Sequence, residues 1–236
     1  DSDDPRRVGW KALGRAISDV AAMGGLPGQA VITIAATPDL PLEYLKALYE
    51  GLTKAARRFG VSIVGGETSR SPGPLFVNVA LTGMVERKQC VLRSGGRPGD
   101  ALYVTGKLGG SRAGKHLDFL PRLGESRWLT THFRPHAMMD LSDGLATDLP
   151  RLARASGCGF ALERDRVPCT RGVTLDQALN DGEDFELLCA IPIRSADKLE
   201  NAWRDAFPKL ALTRIGALTD TPESSSATSH GHDHFA

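Results

Sequence analysis

The chain has 236 residues, with 29 Lys and Arg against 28 Asp and Glu and a formal net charge of +1. That length suits one large domain or two modest ones, each able to bury a core, and the charge balance gives no reason to expect a nucleic-acid or membrane-surface binder. Aromatic residues make up only 6%, no apolar run approaches the roughly 20 residues of a membrane span, and the polar opening "DSDDPRRVGWKAL" does not read as a signal peptide.

In chain order, "VGWKALGRAISDVAAMGG" has helical spacing, with Val8, Leu13, Ile17 and Met23 approximating one face and Gly24-Gly25 as the stop. "QAVITIAA" alternates and is rich in β-branched residues, as a strand is. "PLEYLKALYEGLTKAARRFG" is the clearest helix: Leu45, Leu48, Leu52, Ala55 and Phe59 keep the 3,4 spacing and Gly60 closes it. "VSIVGGETS" and "LFVNVALTGMVE" read as strands, so residues 1–88 follow an α-β-α-β-β order. Gly95, Gly96, Pro98 and Gly99 then mark a boundary, and residues 89–236 form a second block. In it "ALYVTG", "FELLCAIPI" and "LTRIGALT" read as strands, and "SRAGKHLDFL", "DLPRLARAS" and "ADKLENAWRDAF" as helices; "DTPESSSATSHGHDHFA" reads as a polar tail. Two mixed blocks argue for two α/β-type domains.

Several stretches carry chemistry. Gly109 to Lys115 fits GxxxxGK, but His116 stands where a phosphate loop needs Ser or Thr for magnesium, and a helical 112–117 would carry Lys115 past the phosphate. A weaker anion contact at the N–H groups of Gly109 and Gly110 stays open. Asp19 sits inside a helix, where Asp is unfavourable; it is either an exposed partner of Arg15 at i−4 or a functional acid. Glu67 follows two glycines at a strand end, as in an ordinary turn or a metal site against a phosphate ligand. In "MDLSDGLATDL", Asp140 and Asp143 lie three apart at a strand-to-helix junction among apolar residues. Crowded carboxylates repel unless a cation neutralises them, and magnesium takes one or two carboxylates plus substrate phosphates. Helix capping by Ser142 or Asp143 explains one of these residues but not Asp140 as well, and Pro150 argues for a helix that begins later than Asp143 or kinks. Glu183, Asp184 and Glu186 read as a solvated acidic turn or as a polar contact to a cationic or hydroxylated substrate. His230, His232 and His234 alternate, which chance in a polar tail explains as well as chelation does. Cys90, Cys158, Cys169 and Cys189 have no CxxC spacing, so reduced thiols of a cytosolic protein are expected.

Together, "SDVAAMGG", "VGGETSR", "LRSGGRPGDALYVTG", "MDLSDGLATDL", "GEDFEL" and "HDHF" occur in the order seen in the thiamine-monophosphate kinases, and the chain resembles that family from Val8 to Phe235. The resemblance implies an α/β (α+β), two-domain PurM-like fold of the aminoimidazole ribonucleotide synthetase superfamily. Its N-terminal domain would form a barrel across a homodimer, its C-terminal domain an α/β sandwich. It implies a cytoplasmic kinase using ATP and several Mg2+ ions to phosphorylate thiamine monophosphate, with catalysis by metal and electrostatics. Asp19, Glu67, Asp140 and Asp143 match the metal acids; Gly66, Glu67, Arg93 and Ser142, and more weakly Tyr49, match ATP contacts; Glu183 matches a contact to thiamine monophosphate. The family commonly has Asp at the place of Glu67, and His232 falls where an aromatic residue meets the substrate. Family members also carry a front segment with further acidic ligands, for which this chain shows no counterpart. The rival readings are a cyclo-ligase of the same superfamily and a nucleotide-binding subunit without turnover.

Overall fold

The computed structural model describes residues 4–220. Asp4 accepts a hydrogen bond from the Arg6 N–H and caps α1 (Pro5–Ala22), with Pro5 in the first turn where a missing N–H costs nothing. β1 (Leu26–Ala36), α2 (Leu42–Phe59), β2 (Ser62–Arg70) and β3 (Phe76–Met84) follow, in the order the sequence suggested. The sheet order is β2-β1-β3, with β1 parallel to β2 and antiparallel to β3. Strand alternation buries Ala30, Ile32, Ile34 and Ala36. There Ile32 and Ile34 meet Leu13 and Ile17 of α1 and Leu48, Leu52 and Ala55 of α2. Two glycines let those helices touch backbone to backbone: a Cβ on Gly9 would stand 2.0 Å from the Leu48 carbonyl oxygen, and one on Gly51 1.9 Å from that of Arg6. Met23, expected on the buried face of α1, lies past the helix end and is exposed.

The second sheet has the order β5-β7-β4-β8-β6 and is antiparallel throughout. Its strands are β4 (Ala101–Thr105), β5 (Ala137–Asp140), β6 (Gly159–Leu162), β7 (Leu187–Ile191) and β8 (Leu212–Thr219). The helices are α3 (Leu123–His132), α4 (Leu145–Ala155), α5 (Leu175–Asn180) and α6 (Ala196–Ala206). Alternation serves both faces here. Leu102 and Val104 of β4 pack with α4 and α5, while Ala101 and Tyr103 face α3 and α6, where Trp203 is almost wholly buried. The mixed α/β (α+β) class expected from sequence is the one observed.

One local expectation changes and one holds. "SRAGKHLDFL" is not a helix but two 3-10 turns, Ser111–Ala113 and Lys115–Leu117, parted by Gly114 at φ 94°. α4 begins at Leu145, later than Asp143 as Pro150 suggested, and runs on through Pro150. The helix α1 also ties the two sheets together. Trp10 Nε1–H donates to the Phe119 carbonyl at 2.9 Å, Arg7 pairs with Asp118, and the Ser126 hydroxyl donates to the Ala21 carbonyl.

Candidate active site

Two acidic loops are zipped together at one end of the second sheet. β5 and β7 pair with Asp140 opposite Leu187, and the pairing continues past the strands. Leu141 N–H donates to the Glu186 carbonyl at 2.9 Å, Phe185 N–H to that of Leu141 at 2.9 Å, and Glu183 N–H to that of Ser142 at 2.7 Å. Glu183 and Phe185 take φ of 52° and 51°, a left-handed conformation uncommon outside glycine and characteristic of functional loops. On the other strand, Gly144 (φ 95°) opens α4. No side chain before the helix caps it; instead Asp148, from its first turn, reaches back to accept the Asp143 N–H at 2.9 Å. Capping by Ser142 or Asp143 is therefore not what those residues do.

The zipped loops and α1 enclose a cavity of about 340 Å³ into which Asp19, Asp140, Ser142, Asp143 and Glu183 converge, with Arg15, Arg112 and His116 also on its wall. A second cavity of about 420 Å³, between α1 and β3, shares Arg15 and Asp19 with it. Asp140 is 7% exposed and accepts the Ser18 hydroxyl at 2.6 Å. Burial pushes its carboxyl up to about 7; the Ser18 bond opposes this, and the nearby Asp19 and Asp148 charges add to it. Asp19 opens at the cavity rim, yet desolvation raises it against the pull of Arg15 and then Arg93. Arg93 thus acts on Asp19 without lining the cavity. Asp148 is pushed up to about 6, again chiefly by burial. Asp143 pairs with Arg151, which also holds Asp148 at 3.0 Å.

Among the described residues no cation bears on Asp140 as Arg15 and Arg93 do on Asp19, and both acids offer hard oxygen donors. A magnesium ion fits such a pair, because it keeps waters and substrate phosphates as its remaining ligands. Among the described residues no group of three or more His, Cys, Asp or Glu is preassembled to hold a metal.

Other candidates lie elsewhere. Glu67 is exposed on β2 opposite Thr33, on the sheet face turned away from α1 and α2, with the Ser69 hydroxyl 3.4 Å from its carboxylate. Gly66 has a packing reason of its own, since a Cβ there would meet the Ile32 carbonyl oxygen at 2.1 Å. Tyr49 is half-buried against the core of the first sheet. His232, with His230 and His234, falls outside the described residues.

The anion contact left open at Gly109 and Gly110 is filled by the protein itself: their N–H groups donate to Asp184 Oδ1 at 2.8 Å and Asp181 Oδ2 at 2.9 Å. Lys115 pairs with Asp184 at 2.7 Å, and Arg122 grips Glu186 through two bonds of 2.7 and 2.6 Å. The "GEDFEL" acids are therefore not a solvated turn, and Glu183 alone of the three faces the cavity. Sequence reasoning missed Ser18, Asp148 and Arg151 around Asp140 and Asp143, and Lys11 and His116 beside Glu183. Ser18 and Asp148 carried a signal, being polar residues at core positions of otherwise apolar helix faces.

Family models for the AIR synthase related protein match the chain twice, the N-terminal domain over residues 1–85 and the C-terminal domain over 112–227. The thiamine-monophosphate kinase of Rhodopirellula baltica is 37% identical over 89% of this chain and 68% of its own length. That of Bacillus subtilis is 31% identical over 93% of this chain and 75% of its own. A solved structure described as AaThiL complexed with AMPPCP and TMP superposes with a TM-score of 0.84 at 30% identity, covering 99% of this chain and 82% of that one.

Proposed function

The chain belongs to the thiamine-monophosphate kinase family, and from that membership we propose that it transfers the terminal phosphoryl group of ATP to thiamine monophosphate, giving thiamine diphosphate and ADP. The observation that carries this reading is the convergence of Asp19, Asp140, Ser142, Asp143 and Glu183, from three separate stretches of chain, on one cavity. A phosphate oxygen of the acceptor attacks the terminal phosphorus of ATP, and the bond from that phosphorus to the bridging oxygen of ADP breaks. The acceptor is already an anion at neutral pH, so no strong base is needed; the obstacle is repulsion between two anions.

Magnesium, when bound, supplies charge screening and a fixed geometry for the phosphates. Asp19 and Asp140 would hold it, with Asp143 joining if Arg151 yields it. Arg93 adds positive charge next to Asp19, and Ser142 offers a hydroxyl to the nucleotide. Glu183 takes the organic head of the acceptor, and His232 is assigned to the same substrate.

The outer face of the first sheet supports a homodimer. Val31 and Phe76 are 44% and 58% exposed there, on the side away from the helices. Glu67 shares that face, so its part in the site, with that of Gly66, is assigned through pairing with a second copy. Tyr49 remains a nucleotide contact in this reading. The four free cysteines fit a reducing cytoplasm, and among the described residues no helix is long and apolar enough to cross a membrane.

The test is direct: purified protein with ATP, magnesium and thiamine monophosphate, followed for thiamine diphosphate. Formation of the diphosphate supports the proposal. ATP binding without product favours a nucleotide-binding subunit, and turnover of a formylglycinamidine substrate favours a cyclo-ligase; either outcome overturns it.

A further inference from the structure

Glu183 is gripped from outside its own loop. Lys11 Nζ, on α1, lies 2.7 Å from Glu183 Oε1 and 2.6 Å from His116 Nδ1, and His116 Nδ1 stands 3.3 Å from Glu183 Oε2. The three side chains come from α1, from the second 3-10 turn and from the zipped acidic loop. Lys11 donates to both partners, so Nδ1 of His116 acts as an acceptor. His116 and Glu183 line the acid cavity, and Lys11 lines the adjoining one.

Stability is a poor account of this cluster. The Glu183 side chain is 37% exposed, and ion pairs that open to solvent contribute about 0–1 kcal/mol. Orientation is a better one. A glutamate on a loop has three side-chain torsions to fix, and its backbone here is already held left-handed at φ 52°. Lys11, itself held by His116 on a different element, removes the remaining freedom. A carboxylate has about four acceptor positions, so those not taken by Lys11 stay open to the cavity. Such a group suits N–H donors and positive charge on a ring, which the head of thiamine monophosphate carries and its phosphate does not.

We propose that Lys11 and His116 are positioning residues that fix the Glu183 carboxylate toward the organic head of the phosphate acceptor, so that acceptor selection depends on them and phosphoryl transfer does not. The proposal rests on the kinase reading above.

Steady-state kinetics on the full chain test it, with wild-type turnover established first; a wild type that makes no thiamine diphosphate refutes the kinase reading itself. With turnover in hand, Lys11→Met is expected to raise KM for thiamine monophosphate roughly tenfold, equivalent to about 1.4 kcal/mol. KM for ATP and kcat are expected to stay within about twofold, the pattern of lost binding rather than lost transition-state contact. Lys11→Arg keeps the charge and is expected to restore most of the affinity. His116→Ala, at a half-buried site, is expected to give a smaller rise of the same kind and serves as the probe should Lys11→Met not fold. In a Glu183→Gln background both effects are expected to vanish, because each residue acts through Glu183. An unchanged KM for thiamine monophosphate, a fall in kcat alone, or effects that persist without the Glu183 carboxylate overturn the proposal.

Discussion

Ser18 donates its hydroxyl to Asp140 Oδ2 at 2.6 Å, joining the C-terminal part of a bridging helix to the last residue of β5. The bond works against burial, which with two neighbouring carboxylates pushes Asp140 up to about 7. An acid placed there at such cost suits the use proposed for it, holding a cation.

Asp140→Asn tests that use. The amide keeps the shape, removes the charge and can still accept from Ser18. We expect kcat/KM to fall by about a hundredfold or more, as when a charge-stabilising group is lost from a phosphoryl-transfer site. The thermal midpoint is expected to hold or rise, because an unfavourable buried charge has gone. Parallel measurement of turnover and melting checks both; full turnover in the variant removes Asp140 from the metal site.

The same group sets a pH dependence. Its folded value of about 7 lies above the ordinary aspartate value of 3.8, so between those values the folded state binds more protons than the unfolded chain. Stability from this group is therefore greatest at low pH and is lost as pH rises toward 7. Urea unfolding of wild type and Asp140→Asn at pH 5 and pH 8, without metal, is expected to show the variant gaining on the wild type at the higher pH. Magnesium is expected to reverse part of that difference, and to bind more weakly at pH 5 where a proton competes with it.

Gly51→Ala addresses the helix pair. Its new methyl would fall 1.9 Å from the Arg6 carbonyl oxygen, a backbone atom that cannot swing aside. The helices must part, at a cost of about 3 kcal/mol. The urea midpoint is expected to drop with the slope unchanged.

Lys115→Met separates a structural lysine from a phosphate-binding one. Asp184 has a fully buried side chain, Lys115 is its counter-charge, and its Oδ2 has no partner. Removing Lys115 leaves an uncompensated carboxylate, and we expect a loss of about 3–5 kcal/mol at pH 8. The loss is expected to shrink at pH 5, because burial pushes Asp184 up to about 6 and lets it take a proton. A large fall in ATP affinity with stability intact would revive the phosphate-loop reading.

Local patterns were legible in the sequence where one face of an element meets one core. The 3,4 spacing of α2 and the alternation of β1 are of this kind. The weakly amphipathic α3 and the four-residue β6 gave no comparable signal. "SRAGKHLDFL" misled because its helix-like spacing is cut by Gly114 in a left-handed conformation. At the site, Asp19, Asp140, Ser142, Asp143 and Glu183 could be named in advance from their residue types and motif order. What brings them together could not. The backbone bonds between residues 141–142 and 183–186 span about forty residues of chain, and a long-range pairing leaves no local periodicity. Lys11, and the place of His116 beside it, could not be read for the same reason: their contact with Glu183 exists only across the fold.

The zipped loops also constrain what variation the protein can accept. Asp140 and Glu183 hang from one continuous ladder, so an insertion or deletion in either loop would slip the register and turn one side's residues to the opposite face. The groups proposed to hold metal and to read the acceptor therefore travel as a single cassette, adjustable by swapping side chains and intolerant of changes in loop length.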